Sequence, residues 1–243
     1  MEDMGGDPER ALQDYDQMVD VYADDADVDP MKVSYDRPTV LAMAGDVRGK
    51  RVLDAGCATG ALSEAFLAQG ATVVGVDLNP HLLERARARL GAGIDLHVAD
   101  LSAPMPFLES SSFDVVAASL VLHYLADWTT PLSEFARILR PGGALVLSTH
   151  HPAQDVAITD PPAPYFEKVL LTDTWRKAGR EFTVRFYHRP LSAIVDAFAD
   201  AGFLVERIPE PLPDQDAFSD NPYLYQRMRE APWYLFVRAI KSG

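Results

Sequence analysis

The chain has 243 residues, enough for one α/β domain with an elaboration and for a full buried core. Its net charge of -14 argues against a surface built to grip nucleic-acid phosphates. No apolar run approaches the ~18 residues of a membrane span, so no membrane partner is expected. The single cysteine, Cys57, excludes an intramolecular disulfide framework and fits a reducing, cytoplasmic setting.

In chain order, Asp7-Pro8 reads as an N-cap followed by proline at the first helical position. Ala11, Leu12, Tyr15, Val19 and Tyr22 then recur at helical spacing. The acidic run Asp24 to Asp27 ends that helix, and residues 29–38 read as a loop carrying Tyr35, Asp36 and Arg37. Residues 1–45 are therefore expected as an N-terminal helix and loop, ahead of a main domain at 46–243.

That domain is organised around residues 51–61. Val52 and Leu53 form a short apolar strand that stops at Asp54. Ala55, Gly56, Ala58 and Gly60 make a small-residue turn, and a helical pattern begins at Ala61. A buried strand, a glycine turn and a helix N-terminus let backbone approach a nucleotide closely. The helix from Ala61 buries Leu62, Ala65 and Phe66 and stops at Gly70. A second strand, Val73 to Val76, ends in Asp77, 21 residues beyond Gly56. That is where a ribose-binding carboxylate belongs in a nucleotide-binding βαβ unit. Asn79-Pro80 start the next helix, with Asn79 as N-cap. The third strand, Ile94 to Ala99, ends in Asp100. Successive strands thus bring Asp54, Asp77 and Asp100 to one sheet edge, where ligands of open α/β sheets bind.

The turn is Gly56-x-Ala58-x-Gly60, not the G-x-G-x-x-G of a dinucleotide site, which disfavours an NAD-dependent oxidoreductase. An acid beside the turn would also repel a pyrophosphate. S-adenosylmethionine (SAM), with a ribose, an adenine and cationic ammonium and sulfonium groups, suits these carboxylates.

Phe113 to Ser119 is a near-continuously apolar strand, as central parallel strands require. His123 lies just beyond its end. Pro131 to Leu139 reads as a helix, and Pro141-Gly142-Gly143 turn the chain into strand Ala144 to Ser148. That strand empties into Thr149-His150-His151-Pro152. Neighbouring side chains of an extended stretch point apart, and no nearby cysteine or carboxylate completes a ligand set, so no metal is expected. His150 and His151 are candidate general bases, because histidine titrates near neutrality.

Residues 153–190 read as an insertion. Asp160 to Pro164 is a proline-rich bend. Phe166 to Trp175 and Glu181 to His188 resemble two strands joined by a glycine loop. Tyr165, Trp175, Phe186, Tyr187 and His188 give the insertion an aromatic lining that suits either a pocket or a homodimer interface. Leu191 to Ala201 is an amphipathic helix, Phe203 to Ile208 a strand, 209–225 an irregular acidic segment and Trp233 to Ile240 the last strand.

Five segments together carry a resemblance: Val52 to Gly60 (VLDAGCATG), Val74 to Pro80 (VGVDLNP), Asp100-Leu101, Phe113 to Ser119 (FDVVAAS) and Leu139 to Leu145 (LRPGGAL). In type, order and spacing, residues 51–150 resemble the core of class I SAM-dependent methyltransferases, the small-molecule branch. The one departure is Ala58, where the family usually has glycine. The resemblance implies a Rossmann-like, doubly wound, seven-stranded and mostly parallel sheet with an antiparallel last strand. It also implies an N-terminal helical lid and a hairpin inserted after strand five, where it walls the pocket of a small-molecule methyl acceptor. It assigns Gly56, Ala58 and Gly60 to the methionine portion of SAM, Asp54 to fixing it, Asp77 to the ribose hydroxyls, and Leu78 and Asn79 to the adenine and ribose. Asp100 and Leu101 recognise the adenine in this scheme, and Ser119 and His123 sit under the methyl group. Tyr22 and Arg37 cover the cofactor, while Tyr35, Tyr165, Trp175 and Tyr187 face the acceptor. A SAM-binding protein that does not methylate would keep the same loop, so cyclisation, decarboxylation or a non-catalytic role stays open.

Overall fold

In a computed structural model of the chain, Val19, residues 26–177 and residues 179–242 are described. The expected helix at 7–22, and Tyr22 with it, lies outside the described residues apart from Val19.

The first described element corrects the expected loop. Met31–Asp36 form a π-helical turn that runs directly into α1, Arg37–Ala44. Proline at the second helical position is no obstacle, because its missing N–H falls among those a helix leaves unpaired anyway. The segment is no mere cover. Tyr35, Val40, Met43 and Ala44 share one apolar cluster with Val52, Phe66 and Phe236, so no break in packing falls at residue 45.

The sheet is built from β1 (Arg51–Ala55), β2 (Thr72–Asp77), β3 (Asp95–Val98), β4 (Phe113–Ser119), β5 (Leu139–His150), then β8 (Phe203–Arg207) and β9 (Tyr234–Lys241). Its seven strands run in the order β3-β2-β1-β4-β5-β9-β8. Every pairing among β1 to β5 is parallel, and β9 is antiparallel to both β5 and β8. The strand order reverses between β1 and β4, which opens a crevice at the carboxyl ends of those strands.

Period-two alternation divides the core. Leu53, Val116, Leu145, Leu147 and Val237 face one side, against α4 (Thr129–Ile138) and α6 (Leu191–Asp200). Val52, Val115, Val146 and Phe236 face the other, against α1 and α2 (Ala61–Ala68). The helix α3 (Pro80–Leu90) starts as expected, with the Asn79 side chain accepting from the N–H groups of His81 and Leu82.

Two helices went unforeseen. The first, α5 (Pro152–Ala157), opens the insertion with His151 as its N-cap. The other, α7 (Pro222–Glu230), starts within the stretch expected to be irregular; its cap is Asn221, followed by proline, the same signal as Asn79-Pro80. The inserted hairpin forms, as β6 (Val169–Lys177) and β7 (Arg180–His188), in a separate two-stranded sheet. Its inner face, Phe182, Val184 and Phe186, packs with Leu171 and Tyr124 and so joins the hairpin to the segment after β4.

Candidate functional site

The crevice has a donor side, at the ends of β1 and β2, and an acceptor side, at the ends of β4 and β5. On the donor side Asp77 is a strut. Its two oxygens accept from Ala58 N–H at 2.8 Å and Asn79 N–H at 2.9 Å, so one carboxylate holds the turn after β1 to the turn after β2. Asp54, 1% exposed, accepts from the Ser63 hydroxyl at 2.6 Å. Burial pushes its carboxyl up to about 7; Ser63 opposes that shift and the Asp77 charge adds to it. Burial raises the Asp77 carboxyl as well, against its backbone hydrogen bonds.

Both turn glycines are demanded by the protein itself. Gly56 and Gly60 each have φ of +79°, and a Cβ on Gly56 would lie 2.5 Å from Val121 Cγ2, one on Gly60 2.7 Å from Leu90 Cδ1. Ala58, at φ 47°, occupies left-handed space that suits the family's usual glycine. Asp100 Oδ1 accepts from Ser102 N–H and Oγ, Leu78 is half-buried, and Leu101 packs into the core. The Arg37 guanidinium donates to the Ala26 carbonyl at 2.6 Å.

The acceptor side begins with a residue whose role sequence reasoning missed. The π-turn carries Asp36, 4% exposed, over the ends of β4 and β5, where its Oδ2 accepts from Ser119 Oγ at 2.5 Å. Its Oδ1 has no hydrogen-bond partner, and burial raises its carboxyl above the usual range despite Ser119 and Ser148. Just past Ser119, Leu120 adopts φ 49°, a strained conformation for leucine that redirects the chain toward His123. Tyr35, next to Asp36, is buried edge-on against Phe236 and tilted toward Tyr234; it belongs to the core rather than to an open acceptor wall.

The two adjacent histidines do point apart. The ring of His150 turns inward and stacks on His123, with centroids 4.2 Å apart and planes at 18°, while Phe186 meets it edge-on at 4.4 Å. His151 Nδ1 instead accepts from Ala153 N–H as the helix cap, so that nitrogen is committed to structure. Burial lowers the His123 pKa well below the ordinary value, and the neighbouring His150 and Arg189 lower it further. Its Nε2 has no hydrogen-bond partner.

The hairpin corrects one expectation by phase. Side chains alternate along β7, so Phe186 and His188 turn inward while Tyr187, placed here as an acceptor contact, faces away and lies under Arg189. Trp175 pairs with Phe182, about 13 Å along the strand from Phe186, and donates to Asp173. Tyr165 offers its carbonyl to His188 and its hydroxyl to Leu191 N–H.

These residues fit SAM. On the donor side Asp54 and Asp77 are carboxylates held in charge-unfavourable burial, which the positive charge of the SAM ammonium and sulfonium would relieve. Among the described residues, no group of three or more His, Cys, Asp or Glu side chains is arranged to hold a metal.

Comparison with known proteins gives the same picture. Residues 53–147 match the family model described as Methyltransferase domain. A Ubiquinone biosynthesis O-methyltransferase of Xanthomonas oryzae pv. oryzae is 39% identical over 110 residues, 43% of this chain and 44% of that protein, so the match spans about half the length of this curated relative. An uncharacterized protein of Haemophilus influenzae is 27% identical over 229 residues, 85% of this chain and 87% of its own. The crystal structure of an S-adenosylmethionine dependent methyltransferase from Mesorhizobium loti superposes with a TM-score of 0.68 at 27% identity, covering 88% of this chain and 99% of that one.

Proposed function

We propose that this chain, which carries a methyltransferase domain at residues 53–147, moves the SAM methyl group onto an oxygen of a small, flat acceptor as a class I SAM-dependent methyltransferase. SAM is held along the ends of β1 and β2 by Asp54, Asp77 and the backbone of residues 56–60. The acceptor lies over the ends of β4 and β5, against His150, the one ring of the His123, His150 and Phe186 group that keeps some exposure.

SAM supplies an activated methyl group, so the protein's part is to align the two reactants and exclude water. Alignment of this kind lowers a barrier by roughly 7–11 kcal/mol. The observation that carries the reading is the stack of His123 on His150 at the carboxyl edge of β4 and β5, roofed by Phe186 from the inserted hairpin. An aromatic group of this kind, packed at the crevice edge, favours a planar guest laid against it. The curated relative named as an O-methyltransferase supports oxygen as the atom methylated. The net charge of -14 speaks against an RNA or DNA acceptor. Among the described residues no helix is long and apolar enough to cross a membrane, and the one cysteine, buried and free, suits action in the cytoplasm.

The test is incubation with methyl-labelled SAM and a metabolite extract, followed by mass spectrometry of whatever gains the label. A labelled small molecule and stoichiometric S-adenosylhomocysteine are expected. SAM binding with no label transferred to any acceptor would replace transfer by a role that only uses the bound cofactor.

A further inference from the structure

One buried cluster next to the site is not explained by binding SAM. Asp155, on α5, is 3% exposed and lies between two histidines. Its Oδ2 is 3.2 Å from Nδ1 of His188, and its Oδ1 is 3.4 Å from Nδ1 of His150. The second contact is close but not aligned as a hydrogen bond, so Oδ1 is a buried carboxylate oxygen without a hydrogen-bond partner.

Hydrogen-bond inventory fixes the charges. Nε2 of His188 lies 2.9 Å from the Tyr165 carbonyl, which can only accept, so Nε2 carries a proton. Nδ1 faces a carboxylate and carries the second. His188, 0% exposed, is therefore an imidazolium that anchors Asp155 in its charged form. Burial pulls the His188 pKa down, yet the hydrogen bonds to Asp155 and Tyr165 outweigh it and hold the value above the ordinary one. The free oxygen of Asp155 then selects the tautomer of His150 with the proton on Nδ1, leaving the Nε2 lone pair on a ring that is only 16% exposed. Bonds between a base and its orienting carboxylate are often long without substrate and tighten when it binds.

We infer that His150 is the proton acceptor for the reaction, that Asp155 and His188 are its positioning residues, and that the acceptor group is a phenolic or enolic hydroxyl. This rests on the methyltransferase reading above. The new C–O bond replaces the S–C bond, sulfur keeps the bonding pair, and the hydroxyl proton ends on Nε2 of His150. An imidazole matches a hydroxyl of pKa near ~10 far better than an aliphatic alcohol, because general-base catalysis works best when the two affinities for the proton are close. The titratable groups that face His150 are His123, Tyr234 and Asp155, with Tyr124 against His123, His188 against Asp155, and the Arg189 charge acting on His123.

The test is nitrogen-15 NMR of labelled histidines in the full chain, which needs no acceptor. It is run on wild type, His150→Gln and Asp155→Asn, together with SAM calorimetry and turnover of the acceptor found with labelled SAM. In wild type, His188 is expected doubly protonated across neutral pH and His150 protonated on Nδ1 alone. In Asp155→Asn, His188 becomes neutral and His150 loses its fixed tautomer. His150→Gln lowers kcat by about 10²–10⁴-fold, abolishes the pH dependence of kcat seen in wild type, and leaves the SAM Kd within about twofold. A neutral His188, a His150 protonated on Nε2, an unchanged pH profile in His150→Gln, or a product methylated at carbon, amine or aliphatic alcohol would each overturn the inference. Failure of SAM to bind wild type would defeat the methyltransferase reading instead, and the histidine spectra would still decide the charge arrangement. If Asp155→Asn does not fold, the wild-type spectra and His150→Gln carry the decision.

Discussion

The two ends of the crevice are built on opposite principles. On the donor side the contacts are local: Asp77 accepts from backbone N–H groups 19 and 2 residues away, and Asp54 from a hydroxyl 9 residues on. On the acceptor side, apart from Asp155 beside His150, the key contacts are long-range. Ser119 reaches Asp36 across 83 residues, His188 reaches Asp155 across 33, and His150 stacks on His123 across 27 positions of sequence. The donor side is a property of one βαβ unit, and the acceptor side exists only once the sheet, the π-turn and the hairpin have come together. Substitutions on the two sides should therefore separate cleanly: one set changes SAM affinity, the other changes turnover.

The largest expected effect is on the acceptor side. Phe186, 1% exposed, fills the space between hairpin and histidines, and Phe186→Ala should cost about 3–5 kcal/mol of stability, read by denaturant unfolding. In whatever fraction stays folded, SAM affinity measured by calorimetry should be unchanged, which would break the comparison if it were not. Next comes Asp77→Ala, which removes both the strut and a carboxylate from the donor side. SAM binding should weaken by about 1.5–3 kcal/mol, the worth of a charge-assisted hydrogen bond, by the same calorimetry.

Asp54→Asn sharpens the donor side further. The folded carboxyl, at about 7, stands above its unfolded value of 3.8, so its stabilising proton is fully held below about pH 3.8 and lost as pH rises through 7. At pH 8 the protein bears the cost of a buried charge that asparagine lacks. Thermal melts should show Tm raised by about 2–8 °C at pH 8, with little gain at pH 5, while SAM affinity falls. The smallest effect belongs to Ala58→Gly. It relieves left-handed alanine at a cost in unfolded-chain entropy, for a net gain of about 0.5–1 kcal/mol in denaturant unfolding.

The same division explains what could be read from sequence. The strands β1, β2 and β4, the turn after β1 and the Asn79 cap follow from apolar runs, glycines and caps within a few residues of each other, whereas the seven-stranded sheet with its antiparallel last strand is implied by the family resemblance. The second Asn-Pro start, Asn221-Pro222, carries that same local signal, and the acidic, proline-rich run before it masked the helix. Tyr187 was misplaced because composition identifies an aromatic strand but only register tells which face it turns inward. Gly56 shows another limit. A glycine in a nucleotide turn suggests room for a ligand, whereas its missing Cβ is required by Val121, 65 positions on. Asp36 and Asp155 left no local trace of function. Their chemistry comes from burial and from partners that only the folded chain supplies.

The central claim is that carboxylates in unfavourable burial receive a cationic adenosyl ligand. Calorimetric titration of SAM between pH 8 and pH 5.5 tests it most directly. Protonation of Asp54 competes with a cation, so affinity should fall by about tenfold as pH drops below 7, and Asp54→Asn should bind weakly with no such dependence. A SAM affinity that is flat across that range, or an NAD affinity that exceeds it, would contradict the account.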